Sequence, residues 1–543
     1  MPELRNDDFR IHLIVGITGH RDIVPQDVSA VKEKIREFFN ELKRKLPNTP
    51  LLLLTPLAEG ADRIAAQVAI EEGIKFIAPF PLPEEHYKDD FPRTIEEFDD
   101  LKRKALGYFE LPLGDGDQSV SGPERDKRYE KVGAFIAKHS QILLALWDGK
   151  DSGLIGGTSQ IVGFKLNGLP IEYTPYRTVL DSPDNGPVYH IHTRRMRDFD
   201  PALPYSPEIK WLWPEGTDEK TFFGKDGIFT RFDTFNREIK ELDAKEVEES
   251  RQNLASGAVE KEKFVSHVYA EADVIAINLK RRWNFFQTSL LGIVGILFAI
   301  FLGYAFLHIF PLLVSYFVAY IVFALLFRVW NVSHRFHQSF VEYRALAEGL
   351  RVEFFLRLAG NHEDVADHYL RKHRRRLQWV REVLRSANVF DPQEVPDFDA
   401  IKKYWINGQL DYYSRSSVKN REGVEVLRRI ANILFSLGMA SVFAAIVITV
   451  FDLHTFVSVT TVLIASLPFL AGLVETYTDR STMSETADEH SRMKSIFENA
   501  YKLWGEDKKS NADIIIELAR ESLRENADWL LLHFQIPEKM PLG

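Results

Sequence analysis

Cysteine is absent from this 543-residue chain. Disulfides, thiolate metal sites and a cysteine nucleophile are therefore excluded, and the composition fits a reducing compartment such as the cytosol. A basic surplus is lacking too, since 68 Lys and Arg residues face 78 Asp and Glu residues, for a net charge of −10. General nucleic-acid binders normally carry the opposite balance, so we expect no nucleic-acid partner. The polar start, Met1 to Arg10, predicts no signal peptide and a first third that stays in the cytosol.

Charged residues are also missing from four long apolar runs. These are Phe285–Phe306, Leu312–Phe327, Ala431–Phe451 and Phe456–Val474. A helix of about 20 apolar residues crosses a hydrocarbon core of about 30 Å. Short turns at His308–Pro311 and Asp452–His454 separate the members of each pair, which predicts two hairpins and four membrane spans. Buried core helices of a large soluble protein are the alternative, but those are usually shorter.

Basic residues flank the apolar runs on one side only. They are Lys280, Arg281, Arg282, Arg328, Arg428, Arg429 and Arg480, whereas neither hairpin turn contains Lys or Arg. The positive-inside rule then predicts both turns outside and both termini in the cytoplasm. No span contains Asp, Glu, Lys or Arg, so neither a proton relay nor an active transporter is indicated.

The first 195 residues or so alternate short apolar runs with helical periods. Predicted strands are Ile11–Ile17, Leu51–Thr55, Lys75–Pro79, Gln141–Trp147 and Pro187–His192. Predicted helices are Pro25–Leu46, Gly60–Glu72, Arg125–His139 and Gly156–Asn167. Continuously apolar strands between helices predict an α/β Rossmann-like domain, a doubly wound parallel sheet whose ligands bind beyond the carboxyl ends of the strands.

Three glycine-containing motifs follow predicted strands. They are GITGHRD (16–22), AEGADR (58–63) and GLIGGTSQ (153–160). Glycines at a helix start let a phosphate approach backbone N–H groups, while hydroxyls and arginines supply further donors. The candidate ligand-binding residues are Gly16, Thr18, Gly19, His20, Arg21, Glu59, Gly60, Asp62, Arg63, Gly156, Gly157, Thr158 and Ser159. The alternatives are tight structural turns with a structural arginine, and helix-capping roles for Glu59 and Asp62.

In their order and placement the three motifs resemble the SLOG superfamily, which includes the Smf/DprA-like and lonely-guy (LOG) proteins, over about residues 10 to 195. The resemblance implies a nucleotide or nucleotide-derived ligand, held by Gly19, Arg21, Gly60, Asp62, Gly156, Gly157 and Thr158. The position that matches the catalytic Glu of LOG-type phosphoribohydrolases is Ile161. An apolar residue there removes the expected general acid/base, so no catalytic residue is assigned and binding is favoured over catalysis.

Each hairpin is followed by a polar helical stretch, His334–Arg351 and Glu475–His490. This layout resembles two copies of the SLATT membrane module, which occurs beside SLOG domains and second-messenger synthases in bacterial conflict systems. The resemblance implies a pore-forming effector; a plain anchor with coiled connectors is the alternative. The predicted segments are 1–197, 198–283 (linker and long helix), 284–360, 361–427, 428–500 and 501–543. Within the second, Asp198–Trp213 is the expected exit linker and Ala244–Trp283 one long helix.

Two further clusters of basic or histidine residues indicate a function less strongly. The basic run Arg371–Arg376 could contact anionic lipid or a nucleotide, but a solvated or acid-paired helix face is favoured. His190 and His192 share one strand face, and since the sequence offers no third ligand, we predict no metal.

Together the patterns favour a receptor-effector in the bacterial inner membrane. It would sense a cyclic nucleotide or ADP-ribose derivative made by an upstream synthase, and respond as a homo-oligomer by opening or disrupting the bilayer in anti-phage defence. A membrane-tethered hydrolase or transferase using Glu59, Asp62 or His20 is the first alternative. The second is a nucleotide-gated channel with no defence role, lined by polar residues such as Ser289, Thr449 and Ser466.

Overall fold

The computed structural model describes residues 9–111, 121–151, 153–174, 183–200, 202, 204–361, 363–369, 374–390, 395–451, 457–480 and 483–535. The predicted turn Asp452–His454 and the first half of the basic run, Arg371–His373, lie outside the described residues. The chain forms two compact units. One contains Met1–Leu242 with Glu363–Pro392, and the other contains Asp243–His362 with Gln393–Gly543.

The first unit is built on a seven-stranded sheet. Its strands are β1 (Leu13–Gly19), β2 (Leu51–Leu54), β3 (Lys75–Phe80), β4 (Gly107–Glu110), β5 (Ile142–Trp147), β6 (Val188–His192) and β7 (Ile209–Leu212). Their order in the sheet is β4-β3-β2-β1-β5-β6-β7, parallel except for β7. The parallel, doubly wound sheet predicted from the sequence is confirmed. The strand order reverses between β1 and β5. Strands β2 to β4 extend the sheet from one edge of β1, and β5 to β7 extend it from the other edge.

Helices connect the strands from β1 to β6, and the last two helices of this unit's N-terminal segment follow β7. They are α1 (Val28–Lys45), α2 (Ala61–Glu71), α3 (Glu84–Lys88), α4 (Ile95–Lys104), α5 (Gly122–His139), α6 (Thr158–Asn167), α7 (Glu219–Phe223) and α8 (Ile228–Ile239). Central strands are buried on both faces, so their sequences read as unbroken apolar runs: Leu13–Ile17 and Ile142–Leu146 are fully buried. In α1, Val31, Ile35 and Leu42 return at helical spacing to form its buried face.

Several elements of this unit differ from the sequence-based expectation. The predicted exit linker Asp198–Trp213 contains β7, which pairs antiparallel with β6. The sequence also gave no signal for β4, whose side chains alternate between half-buried and exposed. Both are edge strands, which are not buried on two faces and therefore lack the long apolar run by which the central strands were recognised.

A segment from the middle of the chain completes the first unit. It contains α12 (Val365–His368) and α13 (Arg374–Ala387). Ser386 Oγ donates a hydrogen bond of 2.7 Å to the carbonyl of His12, and Gln141 Nε2 donates to the Glu382 carboxylate at 3.3 Å. The helix α13 is therefore bonded to the amino-terminal ends of β1 and β5.

The second unit is helical. It contains α9 (Ala244–Ala255), α10 (Lys263–Leu307), α11 (Phe310–Leu358), α14 (Phe398–Ala400), α15 (Gly408–Val450), α16 (Val457–Arg480), α17 (Met483–Leu503) and α18 (Lys508–Gln535), with a π-helical turn at Ile401–Asn407 before α15. The helix predicted over Ala244–Trp283 is in fact two helices, since residues 256–262 between α9 and α10 are non-helical.

Three helical stretches of this unit are long and apolar enough to cross a membrane. They are Lys263–Leu307, Phe398–Val450 and Val459–Leu503, and a shorter apolar helix covers Phe310–Leu326. A membrane-embedded helical region is thus present. The shorter helix, Phe310–Leu326, corresponds to the remaining one of the four spans predicted from the sequence. The first two apolar helices, α10 and α11, pack through Trp283, Leu290 and Phe323, and Phe298 of α10 stacks on Phe469 of α16 at 3.9 Å between ring centroids.

Candidate functional site

The carboxyl ends of β1 and β5 form a crevice in the first unit. Because β1 has β2 on one side and β5 on the other, the loops after β1 and β5 leave the sheet toward opposite faces. The loop after β1 begins at His20, and the loop after β5 begins at Asp148. In doubly wound folds this switch point is where ligands bind.

His20 and Asp148 lie in direct contact across the crevice. Nε2 of His20 lies 3.1 Å from the backbone nitrogen of Asp148 and 3.1 Å from its carboxylate. The ring nitrogen cannot accept from the N–H and donate to the carboxylate at once. Burial lowers the pKa of His20, although the Asp148 carboxylate acts in the opposite direction. We therefore favour a neutral ring whose Nε2 accepts the hydrogen bond from the Asp148 amide.

Arg21 projects from the same loop and is 47% exposed. Its guanidinium carbon lies 4.9 Å from the ring centroid of Tyr129, and its nearest carboxylate oxygen, on Asp90, is 3.8 Å away. Tyr129 and Arg125 both donate hydrogen bonds to Asp90. The carboxylate of Asp90 is thus shared among three partners, and about half of the Arg21 side chain stays accessible at the mouth of the crevice.

The start of α6 provides backbone donors on the β5 side. Gly156 has φ +70°, and Gly157 occupies the N-cap position without a side-chain cap. The first N–H groups of a helix have no intrahelical acceptor, so those of Thr158 and Ser159 are available to an anion. Nearby side chains are already paired, since Ser159 Oγ donates to Asp151 at 2.9 Å.

Gly16 and Gly19 of the first motif are required for packing. A Cβ on Gly16 would lie 2.6 Å from Ile136 of α5, and one on Gly19 would lie 2.4 Å from Ala61 of α2. These glycines let the helices approach β1 closely, a role that the phosphate-binding hypothesis did not include. Thr18 stands between them, half-buried in β1.

The second motif, AEGADR, forms the turn into α2. Gly60 has φ +77°, and a Cβ there would lie 2.4 Å from the carbonyl oxygen of His20, so the two motifs meet at this glycine. Asp62 is buried and accepts a hydrogen bond from the Ala58 amide at 3.1 Å. Burial raises the pKa of Asp62 to about 7, against the opposing effect of Arg21 and Arg63.

Glu59 and Arg63 bind the neighbouring loop of the protein. Thr94 Oγ1 donates to Glu59, while Arg63 donates to the carbonyl of Leu57 at 3.1 Å and to Glu97 at 2.8 Å. Arg63 also stacks on Phe91, with 4.6 Å between the guanidinium carbon and the ring centroid. Both side chains thus have structural partners and hold the 91–97 loop beside the crevice.

Ile161, which stands where LOG-type enzymes carry a catalytic Glu, points into the core. It is 2% exposed, and its side chain fills the space above Gly133 of α5, where a Cβ would meet it at 2.3 Å. A carboxylate at this position would be buried at a close helix contact, because α5 and α6 touch through these two residues.

Several residues of the crevice escaped sequence reasoning. They are Asp90, Tyr129 and Asp148. Asp22, the last residue of the first motif, was not among the candidate ligand-binding residues, and it pairs with Arg195 at 2.8 Å. Position after a buried strand was a usable signal for Asp148 alone, since it directly follows β5. His190 lies 2.9 Å from the carbonyl oxygen of Trp147, and no group of three or more potential metal ligands occurs in the described part of the chain.

Fold and site together define a doubly wound α/β domain with a candidate site at its strand-order reversal, joined to a helical unit with membrane-length apolar helices. Comparisons of the chain with protein-family models, with curated proteins and with solved structures found no match.

Proposed function

We propose that this chain is a membrane receptor-effector whose first unit binds a nucleotide-derived second messenger in the crevice between β1 and β5. One observation carries the proposal. Arg21, 47% exposed and 3.8 Å from a carboxylate that Arg125 and Tyr129 already bind, stands across the strand-order reversal from the uncapped start of α6. A phosphate between them would receive backbone hydrogen bonds from one side and a guanidinium from the other.

We assign the response to ligand binding to the second unit. We propose four spans, with both turns outside and both termini in the cytoplasm of a bacterial inner membrane, and a homo-oligomer that opens or disrupts the bilayer. The three long apolar helices support membrane embedding. The SLOG and SLATT resemblances support the second-messenger ligand, the upstream synthase and the defence role. Binding alters the effector only if the ligand prefers one of its two states.

The position of Ile161 favours ligand sensing over catalysis. The residue that replaces the LOG-type general acid/base is buried against α5, and the nearest acidic candidates are engaged structurally: Asp62 by the Ala58 amide and Glu59 by Thr94. The second motif therefore leaves no free carboxylate to act as a general base.

The test is calorimetric binding of cyclic oligonucleotides, cyclic mononucleotides and ADP-ribose derivatives to the full chain in detergent, with product analysis of every mixture. Arg21→Ala should weaken binding roughly 10- to 100-fold, the typical loss of one hydrogen bond to a charged group. Gly157→Asp should abolish it, because the carboxylate occupies the anion position. Asp is a good N-cap residue, and φ −73° suits it, so this variant should still fold.

Arg103→Ala is the matched control, since this side chain is 73% exposed on α4. It should bind like the wild type. Consumption of the ligand would make the protein an enzyme, and no binding across the panel would overturn the nucleotide proposal. A confirmed ligand should then cause leakage from liposomes that contain the wild type, but not from those that contain Gly157→Asp.

A further inference from the structure

The helical unit contains a large cavity that the proposed function does not use. Its volume is about 1100 Å³, and its walls are formed by α10, α11, α15, α16, α17 and α18. Pockets for drug-sized ligands span about 300 to 1000 Å³, so this space accommodates a ligand at or above the upper end of that range.

One end of the cavity is apolar. It is lined by Leu290 and Val294 of α10 and by Phe469 and Leu473 of α16. These residues belong to the uncharged runs of membrane length, and Leu290 and Leu473 lie within a few residues of the basic ends of those runs. This end therefore lies at the depth where lipid acyl chains begin.

The other end is polar and carries more positive than negative charge. Lys280, Arg344, Arg351 and Lys419 line it, with Glu348 and Glu525 as its acidic residues. Arg344 bonds Asp273 at 3.0 Å and also pairs with Glu348, which is shared with Arg351. Asp273 and Glu348 thus pair with the two arginines. Neither Lys280 nor Lys419 has a carboxylate within 4 Å among the described residues.

A further feature leaves this end short of negative charge. Burial and the neighbouring Glu348 raise the pKa of Glu525 to about 7, so this carboxyl is partly protonated at neutral pH. An anion at this end would gain the two lysines.

We propose that the cavity binds an anionic phospholipid, with its phosphate at the Lys280 and Lys419 end and an acyl chain along the Leu290, Val294 and Phe469 wall. Apolar and cationic ends in one continuous space match a lipid that has a tail and a charged headgroup, and basic pockets between membrane helices on the cytoplasmic side bind such headgroups. No residue of the first unit takes part, so the lipid site stands or falls independently of nucleotide binding.

The experiment uses the full chain in nanodiscs of equal parts phosphatidylglycerol and phosphatidylcholine, and bound lipids are counted by native mass spectrometry. The wild type should retain phosphatidylglycerol selectively. Lys280→Gln combined with Lys419→Gln should reduce that preference roughly 25-fold, at about fivefold for each cation near a phosphate. The matched control is Arg281→Gln with Arg282→Gln, which removes the same charge from exposed positions of α10 that do not line the cavity.

A second pair of variants tests the apolar end. Gly472 lines the cavity with open space beside its Cα, so Gly472→Leu should fill the chain site and lower retention of both lipids. Gly292→Leu is the control, since Gly292 has equally open space but does not line the cavity. Equal retention of the two lipids by the wild type, or an equal loss in the Arg281 and Arg282 control, would overturn the proposal. Displacement of lipid by inorganic phosphate or ATP would show a free-anion site instead.

Discussion

Asp62 shows how one buried carboxyl connects the candidate site to pH. The side chain is buried in the first turn of α2, next to Gly60 where the first two motifs meet, and burial raises its pKa to about 7 from an ordinary value of 3.8. Between these values the folded protein binds more protons at Asp62 than the unfolded chain does. The contribution of Asp62 to the free energy of unfolding therefore falls as pH rises from about 4 to about 7.

We predict that Asp62→Asn makes the first unit more stable at pH 8, where the wild-type carboxyl is charged and buried, but not at pH 4. The gain has an upper limit of about 4 kcal/mol, at about 1.4 kcal/mol for each pKa unit. The amide oxygen of Asn can still accept from Ala58. Urea midpoints followed by tryptophan fluorescence at the two pH values test this, with exposed Asp126→Asn as control. An unchanged midpoint at pH 8 would contradict a buried charge.

At the scale of elements, α13 is the part of the fold that sequence reasoning did not place. It was predicted to lie in a connecting segment, 361–427, yet its ion pairs are made with the first unit. Asp184 accepts hydrogen bonds from Arg381 at 2.7 Å and 3.0 Å and also pairs with Arg385, and the two arginine side chains are 2% and 3% exposed. Nearly 200 residues separate these partners, so no local periodicity could indicate the pairing.

We predict that Asp184→Ala lowers the free energy of unfolding of the first unit by about 3 to 5 kcal/mol, because two buried guanidinium groups lose their shared carboxylate. Asp100→Ala, which removes an exposed ion pair with Lys104, should leave the free energy of unfolding close to that of the wild type. Urea denaturation gives both values, and limited proteolysis should show faster cleavage within 363–392 in Asp184→Ala. Equal stability of the two variants would mean that Asp184 does not hold α13.

At the scale of the whole molecule, the number of membrane crossings decides where the two hairpin turns lie. Three long apolar helices are present, and the shorter Phe310–Leu326 is the fourth candidate. With four spans both turns lie on the same side of the membrane, whereas with three spans they lie on opposite sides. The absence of cysteine makes single-cysteine labelling unambiguous, because the native chain contributes no background.

We predict that His308→Cys and Leu453→Cys react with a membrane-impermeant maleimide in intact spheroplasts. Lys34→Cys in α1 and Ser510→Cys in α18 should react only after permeabilisation, since both termini are expected in the cytoplasm. Labelling of one turn but not the other would contradict four spans. Labelling of Lys34→Cys in intact spheroplasts would reverse the orientation.

The central strands, the helices α1, α2, α5 and α6 and the apolar helices could be predicted from the sequence, because each is set by burial that repeats within a short window. The motif turns were predicted at the correct strand ends for the same reason. The helices α3 and α4 were not predicted. Edge strands β4 and β7 could not be, since an edge strand is not buried on both faces and lacks the unbroken apolar run.

By itself, the sequence determined the class of this protein: a parallel α/β unit in a chain with a membrane-length helical region and no cysteine chemistry. Only the tertiary structure decided which residues share a site. His20 contacts Asp148, which is 128 residues away in the sequence, and Gly60 packs on the His20 carbonyl. The two lysines of the cavity come from α10 and α15. Secondary structure follows from local periodicity, whereas such pairs depend on how distant elements pack, which no local pattern encodes.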